Sequence, residues 1–382
     1  MRLLSIHNVG QIKEANIRFA DLTVLVGPQA CGKSITLQWI KLLLDAKQIR
    51  DQWMEHGLET GGDLNEFLDL YFGEGMHTSW TPDSRVLVDN RLIQNPTTLT
   101  GRNQNHESVI IVPAHRVISF TDGWPRNFLS YSSSDPYMVR AFSEKLRRHF
   151  EIGKENTKEN HLFPNPDRLR QEHREQLQAT VFGEFTLKID KVRSQKRLVL
   201  EGEATRLPYM AWSAGQRELV PLLLTLSWLL PAGGTTRRDE LEWVIIEEPE
   251  MGLHPRAITS VLLIILELLF RGYKVILSTH SPQILELIWA METIRKQRGN
   301  IQALFKLFSI QNPSQNMQTM INGIAEKKSS VYCYQKTDEG FVTQEITNWN
   351  ADASSTMESS WGGLLHFSDL ANEIVADVMA NS

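Results

Sequence analysis

Gly27-Pro-Gln-Ala-Cys-Gly-Lys-Ser34 stands between Asp21-Leu-Thr-Val-Leu-Val26 and a run of apolar residues at helical spacing, Ile35-Thr-Leu-Gln-Trp-Ile-Lys-Leu-Leu-Leu44. The first flank is apolar and β-branched enough for a buried strand, and the second reads as an amphipathic helix. Strand, glycine loop and helix start together make a polyphosphate cradle. The glycines let backbone N–H groups turn toward an anion, and the helix dipole adds roughly half a positive charge there. In this pattern Lys33 reaches the β- and γ-phosphates and the Ser34 hydroxyl ligands Mg²⁺. An ordinary glycine turn gives no reason for Lys-Ser to open the helix. Gly27, Pro28, Gln29, Ala30, Cys31, Gly32, Lys33, Ser34 and Ile35 are therefore assigned to nucleotide binding.

The chain has 382 residues, 41% hydrophobic and 22% charged, with a formal net charge of −5. That is a globular composition without a global pull toward nucleic acid or anionic membrane. Two cysteines, Cys31 and Cys333, give no disulfide framework and suit a reducing, cytoplasmic location. The N-terminus alternates like a strand and lacks the pattern of a signal peptide. The most apolar stretches, Val220–Leu230 and Ala257–Phe270, fall short of the roughly 20 residues of a membrane span and read as core helices.

Strands are expected at Arg2–Val9 and Ile12–Phe19, and a buried strand at Ser108–Val112. Between them, about 47–107 is polar, broken by Gly-Gly and Thr-Pro, and reads as an insertion that is partly helical at Leu64–Tyr71. Helical, charge-rich runs at Ala141–Phe150 and Arg168–Gln178, then alternation over Phe185–Leu200, make 121–204 a mostly helical inserted lid. Residues 205–300 alternate helix and strand and resume the core, which begins in 1–120. The extension 301–382 offers a hairpin (Val331–Gln335 with Phe341–Ile346) and a short helix near Asp369–Met379.

Leu241-Glu-Trp-Val-Ile-Ile-Glu-Glu-Pro-Glu250 is an apolar strand ending in carboxylates. A carboxylate at such a strand end holds Mg²⁺, and its neighbour can orient and deprotonate the attacking water. Glu247 is assigned to the metal and Glu248 to the base. Trp212-Ser-Ala-Gly-Gln-Arg-Glu218 opens another helix, with Ser213 and Gln216 at capping-box spacing. A capped, small-residue helix start is a second anion site. Gly252-Leu-His-Pro255 follows the carboxylates, and Lys274-Val-Ile-Leu-Ser-Thr-His280-Ser-Pro282 sets a histidine just past another strand.

Taken in order, these segments resemble the Walker A, signature, Walker B, D-loop and switch-histidine motifs of ABC-type ATPases. Trp212 and Ala214 depart from the usual Leu-Ser-Gly-Gly-Gln signature. The resemblance implies that Ser213, Gly215 and Gln216 touch the nucleotide held by a second protomer and that His280 touches the γ-phosphate. Glu-Glu-Pro-Glu-x-Gly-Leu-His-Pro and Ser-Thr-His-Ser-Pro look like the soluble ATPases of the OLD, RecF and SMC group. Val112-Pro-Ala-His-Arg116 is similar to that group's segment at the place of the transporter Q-loop, which implies His115 and Arg116 near the phosphates. The fold expected is α/β: a P-loop NTPase of the ABC-type head, with an inserted lid.

No Asp-x-Asp follows His280, so the Toprim nuclease often fused to OLD-like heads is not expected, and the heptad arms of SMC proteins are absent. A guanine-reading Asn/Thr-Lys-x-Asp is missing, which favours ATP with Mg²⁺. The resemblance implies a homodimer or higher homo-oligomer around ATP. It also implies a separate effector, nuclease or toxin, in anti-phage defence, and no membrane partner. The alternative is a RecF-like clamp on duplex DNA, supported by basic clusters at Arg147-Arg148, Arg193–Arg197 and Arg295–Arg298.

Overall fold

The computed structural model describes residues 1–58, 61–99, 106–132, 134–152, 161–192, 195–232, 236–238 and 240–347. In chain order the first half holds β1 (Leu3–Val9), β2 (Ile12–Arg18), β3 (Leu22–Val26), α1 (Lys33–Glu55), α2 (Leu64–Phe72), β4 (Trp80–Val88), β5 (Arg91–Ile93) and β6 (Val109–Val112). The middle of the chain holds β7 (Phe120–Thr121), β8 (Trp124–Pro125), α3 (Tyr137–Ile152), β9 (His161–Phe163), α4 (Gln171–Leu177), β10 (Thr186–Val192), β11 (Gln195–Glu201) and β12 (Arg206–Pro208). The chain then forms α5 (Ala214–Leu229), β13 (Trp243–Glu247), α6 (Pro255–Phe270), β14 (Lys274–Thr279), α7 (Pro282–Lys296), α8 (Gln315–Gly323), β15 (Ser329–Thr337) and β16 (Gly340–Glu345).

Ten strands make one sheet in the order β5-β4-β1-β2-β16-β15-β3-β14-β13-β6. Its half from β15 to β6 is parallel throughout. Such strands are covered on both faces, and β3, β6 and β13 accordingly bury every residue. Alternate side chains feed two cores. Val24, Val26, Val244, Ile246, Val275 and Leu277 pack with α5 and α6, whereas Leu25, Ile245 and Ile276 pack with α1. This is a mixed α/β sheet, rich in parallel pairs, as expected from the sequence.

Register places the site. Val26 lies opposite Thr279, Glu247 opposite Ser278, and Ile246 opposite Val112. Four parallel strands therefore end on one line, the edge where open α/β sheets hold ligands. Helix α1 is tied to that frame at Asp45, which leaves helical geometry (φ −124°, ψ 27°). Its carboxylate accepts the backbone N–H and hydroxyl of Ser108 (2.9 and 2.6 Å) and the N–H of Val109 (2.9 Å).

Two stretches sit differently from the sequence expectation. Residues 80–93, expected inside an insertion, supply edge strands: β4 pairs with β1, and β5 with β4. The hairpin expected in a C-terminal extension lies in the middle of the sheet, β15 beside β3 and β16 beside β2. Burial explains the second. Ser329-Ser-Val-Tyr-Cys-Tyr334 is buried without a break, which only an interior strand allows. In the middle of the chain, α3 and α4 fall on the expected helical runs, and β12-β11-β10-β9 form a separate antiparallel sheet. The helix expected near Asp369–Met379 lies outside the described residues.

Candidate functional site

The Gly27–Ser34 loop leaves the end of β3 in a conformation only glycine tolerates at two points. Gly32 has φ +104°, and a Cβ there would stand 2.3 Å from Ile12 Cγ1. Gly27 has φ +147°, and its Cβ would meet Tyr334 Cβ at 2.8 Å. Pro28, Gln29 and Ala30 are exposed at the tip, and Ile35 is buried in the first turn of α1. Lys33 folds back over the loop, donating to the carbonyls of Gly27 (2.9 Å) and Pro28 (2.8 Å), with Cys31 Sγ at 3.6 Å. Cys31 itself is buried. Its position beside Lys33 and a helix start predicts a lowered thiol pKa; instead burial raises it, against the pull of Lys33. The thiol is therefore a small packing group under the loop.

At the end of β13, Glu247 is buried. Its Oε2 accepts the N–H of Ala114 at 3.0 Å. Burial raises its pKa, opposed by that bond and by one from the Ser34 hydroxyl. Its other oxygen, Oε1, is buried with no hydrogen-bond partner. A desolvated carboxylate with an orphan oxygen beside a serine hydroxyl is the donor set Mg²⁺ takes, oxygen only, with phosphates and water completing the shell. Ser34 and Glu247 supply oxygens that fit such a shell.

Glu248 occupies the left-handed region, φ +43°, which is rare for a non-glycine residue. Its N–H donates to Ser278 O at 2.9 Å. Its Oε1 lies 3.3 Å from His280 Nε2. The hydrogen bond from His280 holds its pKa below the usual carboxylate value. The parallel register thus brings the two expected catalytic side chains together across β13 and β14.

Arg116 lies behind the strand-end carboxylates. Expected near the phosphates, it is fully buried and spends its guanidinium on backbone carbonyls. Nε donates to Glu218 O (2.9 Å), one terminal nitrogen to Glu247 O and the other to Glu248 O (both 3.1 Å). It is a strut between α5 and the turn that carries Glu248. The neighbouring His115 is exposed; burial raises the pKa of Glu218, and the charges of Arg116 and His115 oppose that rise.

Ser213 caps α5 with a full capping box: it accepts from Gln216 N at 3.2 Å, and Gln216 Oε1 accepts from Ser213 N at 3.0 Å. Gln216 Nε2 donates to Val181 O at 3.2 Å, so this side chain is committed within its own chain. A Cβ on Gly215 would lie 3.0 Å from Gly252 O, so the signature helix rests on the D-loop turn.

Two contributors escaped the sequence. Glu250 was visible as the third carboxylate of its run, but nothing marked its partners. Tyr334 sets its backbone against Gly27 and shares a 2.7 Å hydrogen bond with Thr36; no local pattern joins residues so far apart. The basic clusters are largely neutralised: Arg147 pairs with Glu144 and Glu151, Arg148 with Glu55 and Glu144, Arg197 with Asp190, and Arg295 with Glu292. Arg193 lies outside the described residues.

A family model described as "AAA domain, putative AbiEii toxin, Type IV TA system" matches residues 113–286. No curated protein matches the chain significantly. Among solved structures, an SMC head bound to the C-terminal winged-helix domain of ScpA is similar at 10% identity and a TM-score of 0.44, over 90% of this chain and 96% of that one. The SMC head domain of Thermotoga maritima matches at 12% identity and 0.38, over 90% and 98%. A head with an extended coiled coil bound to the C-terminal domain of ScpA, from Pyrococcus furiosus, matches at 12% and 0.37, over 90% and 95%. The family match covers the stretch holding Arg116, α5, Glu247, Glu248 and His280; the Gly27–Ser34 loop lies outside it. Among the described residues no helix is long and apolar enough to cross a membrane.

Proposed function

We propose that this chain is an ABC-type ATPase that binds and hydrolyses ATP at the edge formed by β3, β13 and β14. The observation that carries the reading is Glu248, held in a left-handed conformation beside His280 and one residue from the buried Glu247. The loop N–H groups and Lys33 bind the β- and γ-phosphates. Ser34 and Glu247 would hold Mg²⁺, which would offset the negative charge of the phosphates. Glu248 accepts the proton of the attacking water. His280 orients that carboxylate and faces the γ-phosphate.

Ser213 and Gly215 present the start of α5 to the nucleotide of a second protomer, so a homodimer closes around ATP. Nucleotide-dependent closure would act on a separate effector in anti-phage defence. That role rests on the resemblance to the OLD-like group, and the matched family's description, naming a toxin of a type IV toxin–antitoxin system, is in keeping with it. The DNA-clamp alternative loses some support because four arginines of its basic clusters, Arg147, Arg148, Arg197 and Arg295, are paired with carboxylates.

Purified chain with ATP and Mg²⁺ should release phosphate, and Glu248→Gln should bind ATP without turning it over and sediment as a dimer. A parent without turnover, together with a Glu248→Gln chain that stays monomeric at saturating ATP, would refute the proposal.

A further inference from the structure

Glu250 takes no chemical step in the proposed reaction; it joins the two turns that carry Glu248 and His280. Its Oε1 accepts the backbone N–H of His280 at 2.6 Å and the hydroxyl of Thr279 at 2.7 Å. Thr279 Oγ1 in turn accepts the N–H of Ser281 at 2.9 Å, the residue that precedes the first turn of α7. One carboxylate oxygen thus gathers three consecutive residues at the end of β14. Glu250 Oε2 is buried without a hydrogen-bond partner, so the group is held in place through Oε1 alone.

From the pinned backbone of His280 the imidazole reaches back toward the preceding turn, where Nε2 lies 3.3 Å from Glu248 Oε1. Glu248 and Glu250 leave the same strand end, separated by Pro249, whose ring fixes its own φ. The spacing between the His280 anchor and the His280 target is therefore set within three residues of one rigid turn. A short bond to the backbone N–H of His280 limits the direction of its side chain, because only χ1 and χ2 separate that backbone from the ring.

We infer that Glu250 is the positioning residue of this site: it aims His280 at Glu248 by holding the His280 backbone. The consequence for turnover rests on the ATPase reading above; the coupling between His280 and Glu248 does not. Two features define the required chemistry. The acceptor must be an oxygen, since both donors are an N–H and an O–H, and it must sit at the full length of a glutamate. Glutamine keeps the oxygen and the reach without the charge. Aspartate keeps the charge but is shorter by one methylene, about 1.5 Å. Alanine has neither.

The test uses the full chain labelled with ¹³C and ¹⁵N at histidine, with the His280 ring resonances identified by their loss in His280→Gln. In the parent, adding Glu248→Gln should shift those resonances, because Glu248 is the neighbour of Nε2. The same response should persist in Glu250→Gln and vanish in Glu250→Asp and Glu250→Ala. Phosphate release should fall on the same pattern. Glu250→Asp and Glu250→Ala should lose about tenfold to a hundredfold in kcat, the cost of a misplacement near 1 Å, with KM for ATP within about threefold of the parent. Glu250→Gln should rescue most of kcat. A His280 ring that still responds to Glu248→Gln in the aspartate and alanine variants would overturn the inference. So would rescue by aspartate and not by glutamine, which would make Glu250 an electrostatic element. If alanine prevents folding, the glutamine and aspartate pair carries the comparison. If the parent proves to hydrolyse no ATP, the ATPase reading fails while the resonance measurement still decides the coupling.

Discussion

Replacing Arg116 by methionine keeps the length of the side chain and removes every donor. The three bonds to Glu218, Glu247 and Glu248 carbonyls come from a charged group, each worth about 1.5–3 kcal/mol in isolation. Their sum is an upper bound, because methionine also escapes the cost of burying a guanidinium. Glu248 O moreover retains the N–H of Met251 at 3.0 Å. A net loss of about 3–5 kcal/mol is expected, the usual result of breaking a buried polar cluster from one side. With an unfolding entropy of about 2.1 cal/mol/K per residue, 382 residues give about 0.8 kcal/mol per degree, hence a Tm lower by about 4–6 °C. The catalytic effect should be larger than the thermal one, because Arg116 holds the turn that forces Glu248 to φ +43°. Relaxation of that turn should lower kcat by about a hundredfold and leave ATP affinity nearly unchanged. Differential scanning fluorimetry, phosphate release and equilibrium binding of a fluorescent ATP analogue measure the three quantities on the same preparation. An Arg116→Met chain melting within about 1 °C of the parent with full kcat would refute the strut.

Gly32→Ala should weaken ATP binding and lower stability by about 2–4 kcal/mol, since a Cβ at φ +104° would overlap Ile12 Cγ1; unchanged titration calorimetry and melting would contradict the loop geometry. Glu144 is buried, which alone raises a carboxyl pKa, but hydrogen bonds from Arg147, Arg148 and the N–H of Phe128 bring it down to about 2. A folded-state pKa below the unfolded one makes its contribution, about 3 kcal/mol, fully present above the unfolded value and lost as pH falls through the folded one. Urea unfolding should therefore show Glu144→Gln well below the parent at pH 7, with the gap closing between about pH 4.5 and 2; a constant gap would sink the assignment. Mixed dimers of Lys33→Ala and Ser213→Arg contain one site with both lesions and one with neither, so the mixture should recover up to roughly a quarter of parental turnover. Absence of both turnover and nucleotide trapping, with subunit exchange demonstrated, would return Ser213 to the role of a helix cap.

The phosphate loop, the strand-end carboxylates, the capped helix and the histidine after a strand were all legible in the amino-acid order, because each is a short-range pattern. A glycine-rich turn, an apolar strand ending in charge and a capping box carry their chemistry within about ten residues. Ser213 and Gln216 form the box their spacing predicts, and β3, β13 and β14 run where their apolar stretches stand. What the one-dimensional pattern could not determine is which side chains meet across hundreds of residues, and what burial does to them. Arg116 looked like a phosphate ligand until the packing of α5 against the end of β13 enclosed it and turned it into a strut. Cys31 stands beside Lys33, whose charge pulls a thiol pKa down, yet desolvation outweighs that pull. The hairpin near the end of the described chain looked peripheral, yet β15 completes the sheet beside β3 and sets Tyr334 against Gly27. Local propensity and motif spacing act through the chain, so sequence reports them directly; solvation and strand order act through space, so they are settled only when the sheet closes.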